Sequence, residues 1–192
     1  MTIRISVLGV GSIGTVVAGA LAATSAELHL HVRGERGAVQ MVQGLQISGH
    51  ATLNLGPERF MFSCEELAVD DALVRGSDVV IFACKSYTLP ELAQTATTFL
   101  KPGGLVLALC NGLGHVETLT RTFGPNAVLA ASTTHGAYVD GDGVVWAGFG
   151  GIGLSLPPLG PSEAQLETLV EVFTEAGLNP WVHDDAAALI WE

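Results

Sequence analysis

A handful of residues in this sequence have types and spacings that speak of chemistry. Gly9, Gly11 and Gly14 lie in Gly9-Val10-Gly11-Ser12-Ile13-Gly14, a G-x-G-x-x-G run directly after a short apolar stretch. In a dinucleotide site the first glycine permits a tight turn and the second lets the backbone approach a pyrophosphate. The third lets a helix pack closely on a strand. Ser12 and Ile13 then open that helix, whose N-terminal N–H groups and partial positive charge attract phosphate. Arg33 lies 19 residues after Gly14, where an acid suits a ribose 2′-hydroxyl and a base suits a 2′-phosphate. Arg36 stands close enough to assist, while Glu35 is the competing ribose acid two residues late. The balance points to NADP(H).

Lys85, Asn111 and His135 extend the pattern. Lys85 directly follows an apolar run, a costly place for an ammonium unless the strand end opens on a wet or anionic site. The alternative is a lysine snorkelling from the sheet edge. Asn111 carries an amide that both donates and accepts, suited to orienting a carboxamide or a substrate carbonyl. Its other reading is local, since Asn-Gly is a common turn pair. His135 is either a proton donor or a polar loop residue lining the pocket. Cys84 and Cys110 read as small buried strand-end residues, and the six histidines offer no metal cluster.

The elements that must position these residues alternate. Ile3 to Leu8 reads as a buried parallel strand, followed by the glycine run and a helix. The uncharged stretch 7–23 is thereby divided into strand, turn and helix rather than an export signal or a membrane anchor. Glu27 to Val32 reads as a second strand, its polar alternation implying less burial than the first. A glycine-rich turn, Gly34 to Gly37, leads to a short helix over Ala38 to Val42. Residues 45–63 read as a small β excursion and Val79 to Cys84 as the most hydrophobic strand. A helix over Leu89 to Leu100 is stopped by Lys101-Pro102-Gly103-Gly104. Leu105 to Cys110 reads as a strand, Val116 to Phe123 as a helix and Ala127 to Thr134 as a strand. A hairpin follows at Tyr138 to Phe149 around Asp140-Gly141-Asp142-Gly143. Glu163 to Ala176 reads as an acidic helix, Trp181 to His183 as a last strand, and a helix capped by Asp184 or Asp185 starts at Ala186. Strands alternating with helices predict an α/β, Rossmann-like, doubly wound and mainly parallel sheet over residues 1–183. Residues 184–192 then begin a linker helix.

Composition narrows the partners. The chain has 192 residues, 48% of them hydrophobic, which excludes disorder. With 8 Lys+Arg against 19 Asp+Glu the net charge is −11, which argues against nucleic acid and anionic membranes. Three widely spaced cysteines without a C-x-x-C pattern suit a reducing compartment, and the expected location is the cytoplasm.

Taken together, ISVLGVGSIG, Arg33, Ala83-Cys84-Lys85, Cys110-Asn111-Gly112-Leu113-Gly114, Thr133-Thr134-His135-Gly136-Ala137 with Asp140-Gly141, and Leu189-Ile190-Trp191 resemble the ketopantoate reductase (2-dehydropantoate 2-reductase) family. The resemblance implies NADPH bound by Gly9, Gly11 and Gly14 at the pyrophosphate and by Arg33 at the 2′-phosphate. Lys85 and Asn111 would lie beside nicotinamide and substrate, and the reaction would be reduction of 2-dehydropantoate to pantoate in pantothenate biosynthesis. It also implies a general-acid lysine one position beyond Glu192 and an all-helical C-terminal domain outside this sequence. The chain alone would then bind cofactor but turn over poorly or not at all, with a small 2-keto acid, that helical domain and a second copy of itself as partners. Two other readings are a stand-alone NADP(H)-binding module and an opine-type dehydrogenase relative.

Overall fold

The computed structural model describes residues 2–65, 76–110 and 112–191. Its centre is a five-stranded sheet of β1 (Arg4–Leu8), β2 (Glu27–His31), β5 (Met61–Ser63), β6 (Ser77–Phe82) and β7 (Leu100–Ala108). The strands run in the order β5-β2-β1-β6-β7, and every pairing is parallel. Val7, Leu8, Val80, Ile81, Phe82 and Leu107 are almost wholly excluded from solvent. Burial on both faces explains why these strands read as continuous apolar runs.

Helix α1 (Ser12–Leu21) leaves the end of β1 and is buried from Gly14 to Leu21. It packs on the central sheet and also against β3 (Leu45–Gly49), β9 (Gly136–Asp140) and β10 (Gly143–Gly148). These last three, with β4 (Leu53–Leu55), form a second sheet in the order β4-β3-β10-β9. A third sheet, β12-β11-β8, joins Pro180–Val182, Ile152–Ser155 and Ala130–Thr133. The remaining helices are α2 (Gly34–Gln43), α3 (Leu89–Ala96), α4 (His115–Phe123), α5 (Glu163–Glu175) and α6 (Ala186–Trp191). α3 and α4 cover one face of the central sheet; α1 and α5 contribute to the core on the other. Among the described residues no helix is long and apolar enough to cross a membrane.

Several local expectations are corrected. The glycine-rich segment 34–37 is not a turn before α2 but its first turn. Gly37 sits against Val32, where a Cβ would come 3.0 Å from the valine Cβ, so the helix can start immediately after the strand. Helix α3 stops at Ala96, short of Leu100, because Thr97 and Thr98 hydroxyls take the carbonyls of Gln94 and Thr95. Lys101 to Gly104 is then an excursion inside β7: the ladder pairs Ser77 with Leu100 and next Val79 with Leu105. The strand after α4 starts at Ala130, since Pro125–Ala127 forms a 3-10 turn. Asp185 caps α6, accepting from the Ala187 and Ala188 N–H groups at 2.8 and 3.1 Å.

The largest correction concerns β2. Its polar alternation predicted partial exposure, yet His29 is 0% and His31 4% exposed. Their rings are held in a row of hydroxyls. Ser77 Oγ lies 2.6 Å from Ser6 Oγ, and Ser6 Oγ 2.8 Å from His29 Nδ1. Ser63 Oγ then sits 2.8 Å from both His29 Nε2 and His31 Nδ1. Phe99 packs on both rings. Polar side chains here satisfy one another instead of facing water.

Burial, then the neighbouring His31 and Arg4, push the His29 pKa from 6.5 down to about 3. The folded protein therefore holds His29 neutral where the unfolded chain would protonate it. Stability is full above pH 6.5 and falls as the pH drops toward 3. Urea unfolding at about pH 7.5 and about pH 5.5 should show a loss of about 1.4 kcal/mol attributable to His29. A His29→Gln variant should lose correspondingly less over the same interval; equal slopes would contradict the assignment.

Candidate functional site

The C-terminal ends of the central strands open on a cavity of about 580 Å³. Its floor is the turn from β1 into α1. Gly9 has φ +87°, which L side chains rarely adopt, and the Gly11 N–H donates to the Gly9 carbonyl at 2.8 Å. A Cβ on Gly9 would come within 2.8 Å of Cys84 Cβ, and one on Gly14 would collide with the Gly9 carbonyl. Gly11 differs: a Cβ there would meet nothing within 4 Å, because the residue borders the cavity. Gly11 caps α1 without a side-chain hydrogen bond, and no acid stands in the first turn. The leading N–H groups of the helix therefore have no partner within it and face a space with room for a diphosphate.

Gln40 of α2 fixes this turn from the other side. Its Nε2 donates to the Val10 carbonyl at 3.0 Å and reaches Thr15 Oγ1 at 3.4 Å. Gln40 is 3% exposed, and nothing in its sequence neighbourhood marks it, so reading the sequence missed it.

Charge is distributed unevenly. Arg33, Arg36 and Lys85 line the cavity, three of the eight Lys and Arg residues in the chain, and no described Asp or Glu does. In a protein of net charge −11 that arrangement selects an anion. Arg33 is exposed at the start of α2. Arg36 donates to the Gly143 carbonyl at 3.3 Å, tying α2 to the β9–β10 hairpin, while its Nε is buried without a partner. His31 Nε2 is the second buried polar atom at this cavity without a partner. Both suit a ligand that brings acceptors, so the residues present fit a phosphorylated nucleotide.

Of the residues singled out from the sequence, Gly9, Gly11, Ser12, Ile13, Arg33, Lys85 and His135 come together around this cavity. Gly14 lies behind it, under Gly9. Asn111 falls outside the described residues. His135 is 6% exposed and both ring nitrogens are engaged: Nδ1 accepts from the Gly150 N–H at 3.1 Å and Nε2 donates to the Leu178 carbonyl at 3.2 Å. Burial holds its pKa below the usual histidine value. Packed against Trp146 and Phe149, it forms a neutral wall. Among the described residues no group of three or more His, Cys, Asp or Glu could hold a metal ion.

Cys84 and Cys110 end adjacent strands with their sulfurs 3.9 Å apart. The one proton of the Cys110 thiol can go to the Cys84 carbonyl, 3.2 Å away, or to Cys84 Sγ once that sulfur ionises. Hydrogen bonding from Cys110 lowers the Cys84 pKa, whereas the neighbouring Cys84 sulfur and burial raise that of Cys110. Cys84, which lines the cavity, is accordingly the thiol that ionises first. Iodoacetamide under native conditions should label Cys84 at least about tenfold faster than Cys110, read by peptide mass mapping. Cys110→Ala should slow Cys84 labelling by removing the thiol donor.

Comparison with known proteins places this architecture. The family described as Ketopantoate reductase PanE/ApbA matches residues 5–156. A relative from Pyrococcus abyssi named 2-dehydropantoate 2-reductase is 31% identical over 189 residues, covering 98% of this chain and 59% of its own. One of the same name from Halobacterium salinarum is 29% identical, over 98% of this chain and 60% of its own. The chain thus spans about three fifths of the length of these relatives. Among solved structures, a 2-dehydropantoate 2-reductase from Geobacter metallireducens superposes with a TM-score of 0.82 at 23% identity, covering 98% of this chain and 60% of that one. A D-mandelate dehydrogenase solved with NADH and anilino(oxo)acetate superposes with a TM-score of 0.85 at 22% identity, covering 98% and 59%. The shared fold is Rossmann-like α/β, and this chain belongs to the ketopantoate reductase PanE/ApbA family.

Proposed function

We propose that these residues form the NADP(H)-binding part of a cytoplasmic 2-keto-acid reductase that converts 2-dehydropantoate to pantoate. The observation that carries this reading is the open cradle at Gly11, set on a helix N-terminus in a cavity lined by three cations. Ser12 and Ile13 offer N–H groups to the pyrophosphate, and Gly9 and Gly14 let the turn lie low enough to receive it. Arg33 carries the 2′-phosphate, with Arg36 beside it. Glu35, the competing ribose acid, is exposed and does not line the cavity, which supports the 2′-phosphate reading. The names of the Pyrococcus and Halobacterium relatives support the substrate.

When bound, the nicotinamide supplies the hydride. Lys85 and Asn111 orient the carbonyl-bearing end, and His135 closes the substrate side as a neutral wall. By family resemblance the general acid is a lysine, and a helical domain completes the substrate site. The D-mandelate dehydrogenase structure contains NADH, which makes NADH the cofactor to test against.

Calorimetric titration should give tighter binding of NADPH than of NADH. Arg33→Ala should weaken NADPH by about tenfold or more, the scale of one charge-assisted hydrogen bond, and leave NADH nearly unchanged. Equal affinities in the wild type, unmoved by Arg33→Ala, would overturn the 2′-phosphate reading. Gly11→Val should keep the wild-type melting temperature, since its side chain enters open space, yet bind neither dinucleotide measurably. A Gly11→Val protein that still binds would remove the cradle from the site.

A further inference from the structure

The row of hydroxyls and imidazoles beneath β2 ends at the cavity, and its direction can be worked out from donor counting. A neutral imidazole has one N–H and one lone pair; a serine hydroxyl has one proton to give. Burial holds both histidines neutral at physiological pH. Ser63 Oγ touches a nitrogen of each ring; accepting from both would leave its own proton without an acceptor, so it accepts from one and donates to the other. If the row runs from Ser77, Ser77 donates to Ser6, Ser6 to His29 Nδ1, His29 Nε2–H to Ser63, and Ser63 to His31 Nδ1. Every proton is then placed, and the one remaining donor is His31 Nε2–H. If the row runs the other way, the fully buried Ser77 hydroxyl has no acceptor, and a bare His31 nitrogen is left as well. The first direction leaves one group unsatisfied instead of two, so it is the one the fold favours.

His31 is 96% excluded from solvent, its Nε2 has no partner, and it lines the cavity two residues before Arg33. A buried donor left open at the edge of a ligand cavity is costly to the fold unless a ligand supplies an acceptor. We propose that His31 is a further cofactor-binding residue, its Nε2–H donating to an acceptor on the adenosine half of the dinucleotide, with Ser77, Ser6, His29 and Ser63 as the residues that fix its tautomer. The inference rests on the cofactor reading above and adds to it a contact made by the strand itself rather than by the loop that follows. The acceptor is a ring nitrogen of adenine or an oxygen of the substituted ribose, and two probes separate these sources.

The test titrates NADPH, 5′-AMP, adenosine 2′,5′-bisphosphate and nicotinamide mononucleotide into wild-type protein and His31→Phe, which keeps the aromatic contact with Phe99. NADPH and the bisphosphate should bind about five- to tenfold more weakly to the variant, as expected for one lost hydrogen bond, and the mononucleotide should be unaffected. A parallel loss for 5′-AMP assigns the acceptor to adenine or the unsubstituted ribose; an unchanged 5′-AMP affinity assigns it to the 2′-phosphate. The imidazole nitrogen NMR spectrum of wild-type protein supplies a readout that needs no substitution. It should show His31 protonated at Nε2 in the free protein and that resonance moving as the bisphosphate is added. Unchanged affinities in a folded His31→Phe protein, or a His31 resonance that stays still at saturation, overturn this inference alone. A wild-type protein that binds no dinucleotide overturns the cofactor reading and this inference with it.

Discussion

The close approach of helix α1 to the end of β6 is the constraint on which the rest of the site depends. Gly9 and Gly14 have no Cβ, so the turn between them can lie on Ala83 and Cys84, themselves small. The same approach sets the β1–β6 register, in which Leu8 pairs with Phe82 and the Ala83 N–H donates to the Leu8 carbonyl at 2.8 Å. A larger residue at either strand end would lift the helix and move its N-terminus off the cavity. The backbone N–H groups would then lose their aim, although every residue of the motif remained. Packing density here is therefore a functional quantity, not only a matter of stability.

Electrostatics follows from where the strands end. An acidic chain with few bases places Arg33, Arg36 and Lys85 along one edge, after the two strands that flank β1 and at one helix start. Other bases are used for structure at the opposite edge, where Arg4 pairs with Glu27 at 2.7 Å and Lys101 with Asp78. The sheet is thus polarised, with ion pairs at the N-terminal edge of the strands and, among the described residues, cations without acidic partners at the cavity. An anionic ligand entering from solvent meets attraction at the end that can hold it.

Much of this was legible in the sequence, for reasons that can be stated residue by residue. Val79 to Cys84 and Leu105 to Cys110 read as buried strands because burial on both faces demands apolar runs, although the ladders end at Phe82 and Ala108. The glycine spacing was legible because no other side chain fits at Gly9 and Gly14. The second sheet was not, since it pairs Ile47 with Val144 across nearly a hundred residues and short strands carry no label for their partner. β2 was misread for a related reason. Histidines at alternate positions look like a wet face until Ser6, Ser63 and Ser77, from three other strands, are seen to satisfy them. Gln40 was missed because its role is to hold the Val10 carbonyl 30 residues away. In each case the pattern local to the element was sound and a tertiary partner changed its meaning.

The two ends of the cavity differ in kind, and that difference fits a two-headed ligand. After β2 the walls are cationic and offer donors, with His31, Arg33 and Arg36 at the strand end and the start of α2; Lys85 stands across β1, after β6. At the β8 and β9 end they are neutral: Thr133, Ala137 and a His135 whose nitrogens are both occupied, backed by Trp146 and Phe149. The glycine turn after β1 would receive the diphosphate that joins the two halves of such a ligand. Water-exposed cations suit a phosphate that stays charged throughout, whereas hydride transfer is served by walls that neither attract a competing ion nor change charge with pH. One strand-to-helix turn can meet both demands because β1 is central in the sheet, with β2 on one side of it and β6 and β7 on the other. A ligand centred on β1 is therefore met by Arg33 and Arg36 on the β2 side and by Lys85 on the β6 side, while the neutral wall comes from residues that follow β8 in another sheet.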